Sequence, residues 1–265
     1  MRGSPIIKVE NDKNVFALFA AMNAMGYDDE NRREGMFRTR KIIRNIIGKR
    51  GWDRKYPTLK KIIGRKHPWQ LLYSILSKQG QATISDRMVP YLNTFLNEPE
   101  VQKAWQIYKI HQSREIIKLS PLFRQEFNRI RKFLGVPPKI SRVIFITNFL
   151  DAFWRGYSIR IKDTIYLVIG PGAEKNDCEL IRHEILHAFA PQLSLPKSLT
   201  APADHRNAAA LGYQGYPAIN REYVVRGSNL LYESRVLHKD ISKSIKTEKI
   251  LFPSIEEVLT LIKYK

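Results

Sequence analysis

With Cys178 as its one cysteine, the 265-residue chain can form no internal disulfide. That suits a reducing compartment, although a secreted protein whose leader has been removed can also lack bridges. Long hydrophobic runs are missing too. No stretch approaches the roughly 18–20 uninterrupted apolar residues that a membrane-spanning helix needs. The most apolar early segment, FALFAAMNAM (16–25), follows Glu10, Asp12 and Lys13 and is interrupted by Asn23. It reads as a buried helix rather than a secretory signal. Internal repeats and low-complexity tracts are absent, and 43% of the residues are hydrophobic, so a globular chain with a sizeable core is expected.

Acidic residues are scarce relative to basic ones: 25 Asp and Glu stand against 45 Lys and Arg, giving a formal charge of +20. The excess concentrates in residues 32–66, which hold 14 Lys or Arg against Glu34 and Asp53. Such a segment attracts polyanions, or it is an ordinary solvated helix surface in a lysine-rich protein. Paired CxxC, an RNP-like run and a basic region followed by heptads are all missing.

The hydrophobic pattern divides the chain. PIIKVE (5–10) reads as a strand, and helices are expected near 13–26, 38–47, 58–63, 68–78, 86–96, 99–117 and 121–134. In RTRKIIRNII, Ile42, Ile43, Ile46 and Ile47 share a face, with the basic residues opposite. After GVPPKI (135–140), β-branched and aromatic runs at 142–149, 154–161 and 164–170 read as strands, the last two joined by a tight Lys162-Asp163 turn. Asn176 and Glu179 form a helix-start signature for a helix over about 177–190. A loop with a short helix then leads to a long helix over about 218–237, and Ser254 with Glu257 suggests a second capping box. The expected fold is α+β. A helical region (1–135) precedes a catalytic region (136–265), in which a small, mostly antiparallel sheet packs on two helices; the two regions could equally form one continuous domain.

The chemistry sits in CELIRHEILHAFAP (178–191). His183 and His187 are four apart, so on a helix their rings leave the same face one turn apart and can reach one metal ion at about 2.0–2.1 Å each. Glu184 is rotated by about 100° from His183 and can act on a water rather than as a ligand. The remaining positions, Leu180, Ile181, Ile185, Leu186 and Phe189, are apolar and can bury the helix. Chance would place such a pattern in roughly one chain in a hundred of this length.

Two histidines do not complete a catalytic zinc site, which needs three protein ligands and an open position. Six residues after His187 stands Leu193, not a third histidine. Within INREYVVRGSNLLYESRVL (219–237), Glu222, Arg226, Asn229 and Glu233 are spaced 4, 3 and 4 and share a helical stripe. Glu222 is the first choice as third ligand, with Glu233 and His205 in reserve; a solvent-facing set of salt bridges would carry the same stripe. Tyr213, Tyr216, Tyr223 and Arg226 are candidates to stabilise an oxyanion, and Arg226 could instead orient Glu222.

HEILH followed by a glutamate on a second helix resembles the gluzincin clan of zinc metallopeptidases. HEILHAFAP together with NREYVVRG is similar to an uncharacterised bacterial family of gluzincin-like proteins. The resemblance covers about 142–237. It implies one Zn2+ at His183, His187 and Glu222, with Glu184 as general base in peptide-bond hydrolysis. It also implies that the strand at 164–170 borders the cleft and takes an extended peptide by strand addition. The 35 residues from His187 to Glu222 exceed the distance in the best-known gluzincins. A nucleic-acid- or anion-binding protein using residues 32–66, and a purely structural metal site, are the competing readings.

Overall fold

A computed structural model of the chain describes residues 5–27, 34–48, 51–77, 85–135, 140–175, 178–190 and 216–262. Strand β1 (Ile6–Glu10) is followed by seven helices: α1 (Lys13–Ala24), α2 (Arg38–Ile47), α3 (Trp52–Lys55), α4 (Pro57–Ile63), α5 (Pro68–Leu76), α6 (Ser85–Leu96) and α7 (Pro99–Leu134). Strands β2 (Arg142–Thr147), β3 (Gly156–Ile161) and β4 (Thr164–Ile169) come next. Helices α8 (Glu179–Phe189), α9 (Tyr216–Arg235), α10 (Ser242–Lys249) and α11 (Ile255–Leu261) complete the described chain. The fold is thus mixed α and β and predominantly helical, and among the described residues no helix is long and apolar enough to cross a membrane.

The sheet has the order β1-β2-β4-β3 and is mixed, which corrects the mostly antiparallel expectation. β3 and β4 form the expected two-residue hairpin, closing at Ile161 opposite Thr164, with Lys162 at φ 55° in the turn. β4 also runs parallel to β2, from Arg142 opposite Thr164 to Thr147 opposite Ile169. The side chains account for the arrangement. β2 is buried at every position from Val143 to Thr147, and a strand apolar on both faces belongs inside a sheet. β3 alternates, with Tyr157 and Ile159 buried and Arg160 exposed, as an edge strand does. With both of its sides paired, β4 has no open edge for an added peptide strand.

The chain packs as two compact units, and neither follows a boundary at 135/136. One comprises residues 7–122 and 142–180 and holds the sheet with helices α1 to α6; the other comprises 1–6, 123–141 and 181–265. The first unit is built around α1, where every residue from Val15 to Asn23 is buried, as the apolar FALFAAM run requires. Asp12 starts that helix, its Oδ1 accepting the N–H groups of Asn14 and Val15 at 2.8 and 2.9 Å. Arg40, expected on the solvent side of α2, is fully buried instead. It donates to Asn23 Oδ1 at 2.7 Å and to the Tyr27 carbonyl at 3.1 Å, partners that make burial of its charge tolerable.

Two further expectations are corrected. The helices foreseen at 99–117 and 121–134 are one helix, α7, which runs through Pro121. Proline removes a hydrogen bond to the residue four before it, here Ile117. Ile117 and Pro121 are both exposed, so water can serve the freed carbonyl. At the start of α11 the Ser254 side chain makes no capping bond, and its N–H donates to Tyr223 Oη at 3.4 Å.

Candidate metal centre

All three first-choice ligands lie in the second compact unit, on two helices. Helix α8 is enclosed nearly all round: Ile181, Arg182, Ile185 and Phe189 are fully buried, and Leu186 is 1% exposed. The imidazoles of His183 and His187 keep 20% and 16% of their side-chain surface. Their ring centroids lie 5.1 Å apart, with planes at 79°. Glu222 arrives from the first half of α9 with its carboxylate only 2% exposed. One of its oxygens is 3.5 Å from His183 Nε2 and the other is 3.7 Å from His187 Nε2.

Those separations suit a shared ion. A good N–H···O bond spans 2.7–3.2 Å. Donors bound at 2.0–2.1 Å around a tetrahedral ion stand about 3.3–3.4 Å from each other. The three ligand atoms lie within 4.8 Å of one another, so modest closure around one cation would satisfy them. Two imidazoles and one carboxylate are also a donor set that zinc accepts.

Electrostatics tie the three groups together. Burial alone would raise the Glu222 pKa, but His183, His187 and Arg226 outweigh it and hold the carboxyl well below its usual range. Burial, reinforced by the neighbouring positive charges, depresses His187 to about 4 despite the Glu222 carboxylate. For His183 burial acts in the same direction but loses to Glu222, which with Glu184 raises its pKa. Glu184 itself is buried, at 4% exposure, on the helix between the two histidines.

The polar stripe of α9 faces inward rather than to solvent, and its members divide the work. Asn229 and Glu233 serve Arg182, which no reading of the sequence singled out. Its Nε donates to Asn229 Oδ1 at 2.5 Å, Nη2 to Glu233 Oε1 at 2.9 Å, and Nη1 to Glu126 Oε1 on α7 at 3.1 Å. The guanidinium also lies 5.0 Å from the Tyr232 ring centroid. This ties α7, α8 and α9 together one residue before His183. Glu233, the reserve ligand, is thereby an ion-pair partner of Arg182. The one hint in the sequence is an arginine one turn before Leu186 and directly after Leu180 and Ile181, positions that bury the helix.

Arg226 donates through Nη1 to both carboxylate oxygens of Glu248, at 2.8 and 3.0 Å, and stacks over Phe252 at 4.7 Å. Its charge still reaches the cluster, where it lowers the pKa of Glu222 and opposes protonation of both histidines. Glu248, on α10, was invisible to motif reasoning because nothing in SKSIKTEK marks it. Tyr223 is fully buried; its hydroxyl accepts from the Ser254 N–H and its ring meets Phe252 edge-on at 5.0 Å. These contacts pack it between α9 and the C-terminal segment. Asn176, Leu193, His205, Tyr213 and the short helix expected in the 191–217 loop lie outside the described residues, as does the Tyr216 side chain.

No family model, curated protein or solved structure matches this chain. Its chemistry is therefore read from its own residues.

Proposed function

We propose that the protein is a zinc-dependent peptidase of gluzincin type, with a zincin-like arrangement of α8 and α9. In this reading His183, His187 and Glu222 hold one zinc ion, and Glu184 is the general base. The observation that carries it is the spacing of the Glu222 oxygens from the two Nε2 atoms, 3.5 and 3.7 Å, at a buried carboxylate between two imidazoles. Zinc bound there would polarise the scissile carbonyl and make the attacking water more acidic.

The chain's own residues supply the rest. Glu184 takes the proton from the water as it attacks, then passes it to the leaving amine. Arg182 fixes the rotation of α8 through contacts to α7 and α9, and so aims the histidines. His183 and His187, with a smaller contribution from Arg226, favour the ionised Glu222, the form in which a carboxylate binds a cation. A metal site serving only as a staple would have no use for Glu184 beside it, which favours the catalytic reading.

Cleavage of a mixed peptide library tests this. Glu184→Gln should lower turnover by a factor of about 10² to 10⁴, the range for loss of a general base, while zinc content stays the same. Undiminished turnover in Glu184→Gln, or turnover that persists after the metal is chelated, would refute the mechanism.

A further inference from the structure

The first compact unit carries an exposed aromatic pair, with exposed basic residues close to it in sequence. Trp69 and Tyr73 stand one turn apart on α5, a helix whose Leu71, Leu72, Ile75 and Leu76 are buried. Their rings stack at 5.6 Å with planes at 19°. Even so, the two residues remain 40% and 43% exposed. The Trp69 Nε1–H donates to the Ser158 carbonyl at 3.1 Å, so the indole is pinned against the outer edge of β3.

Exposed basic residues precede the pair in sequence and follow Ser158 along β3. Lys61, Arg65 and Lys66 are exposed in the residues just before α5, and Arg160 on β3 and Lys162 in its turn, two and four residues beyond Ser158, are exposed as well. Asp163 is the exposed acidic neighbour in that turn. The aromatics within the 32–66 segment cannot play this part: Trp52 and Tyr56 are buried, and Phe37 packs on Phe149 and Phe153.

We propose that this face binds single-stranded nucleic acid. A base stacks on the Trp69–Tyr73 pair, while Arg65, Lys66, Arg160 and Lys162 hold the phosphates. Exposed aromatic rings beside a basic track are how proteins bind single strands without reading their sequence. A duplex keeps its base faces covered, so this surface should prefer unpaired strands. A lipid surface fits less well, because the indole N–H, which an interfacial tryptophan offers to the wet side, is already bonded to a backbone carbonyl.

Fluorescence anisotropy on the full-length protein tests the proposal, with a labelled 20-nucleotide oligo-dT and an abasic strand of the same length. Oligo-dT should bind about tenfold or more tighter than the abasic strand, with a log–log salt slope near −3 for about four phosphate contacts. Tyr73→Ala and Trp69→Ala should each lose much of that advantage while leaving abasic binding and far-UV circular dichroism unchanged. Arg65→Ala/Lys66→Ala should weaken both strands. Equal affinity for the two strands would overturn the proposal, as would aromatic variants that bind oligo-dT like wild type. So would binding to phosphatidylserine vesicles in the absence of oligo-dT binding.

Discussion

Arg226 stands one turn from Glu222, where a guanidinium could pair with that carboxylate and take it out of the ligand set. Glu248 competes for that guanidinium, holding its Nη1 with both carboxylate oxygens. Glu248→Gln should therefore weaken zinc binding about tenfold, measured by competition with a chelating dye. The double variant Arg226→Gln/Glu248→Gln should recover most of the loss, because the competing cation is gone. A loss that is simply additive would show that the pair acts through packing alone. Arg182 presents the opposite case, a charge with no exposed surface that answers two carboxylates at once. Arg182→Met takes the buried cation from Glu233 and leaves Glu126 only the more distant Arg129, at 3.7 Å. It should cost about 3 kcal/mol in urea unfolding, the scale of a broken buried ion pair.

At the level of elements, local signals proved legible where they were strong. The apolar FALFAAM run became the buried α1, and RTRKIIRNII became α2 with the bounds its periodicity implies. The histidine pair did come to one face of α8, and the four-residue steps of α9 did bring Glu222 to it. What stayed hidden depended on partners distant in sequence. Nothing local says that β4 inserts beside β2, that Arg40 turns inward to Asn23, or that Glu233 belongs to Arg182. Pro121 misled for a related reason: its cost depends on whether the freed carbonyl is wet, which only the packed helix reveals. Pro121→Ala should then stabilise the protein by about 1–2 kcal/mol, the helix-propensity gain less the added freedom of the unfolded chain. A higher urea midpoint with an unchanged slope would bear this out, and no change would mean that Pro121 is already accommodated without loss.

For the whole molecule, the two proposed sites fall in different compact units. A His-His-Glu cluster, its carboxylate buried and its imidazoles partly exposed, lies in the unit that holds α9 to α11, and the exposed Trp69–Tyr73 pair lies in the unit that holds the sheet. Net charge of +20 draws polyanions toward the surface at low ionic strength, so salt must be held fixed in any activity comparison. Elemental analysis of protein purified without added metal decides whether the proposed centre holds zinc. The samples are wild type, Glu222→Ala and Glu233→Gln, the last chosen to keep a hydrogen-bond partner for Arg182. About one zinc per chain is expected in wild type and in Glu233→Gln, with most of it lost from Glu222→Ala. A wild-type chain that holds no zinc even after zinc is supplied would contradict the claim.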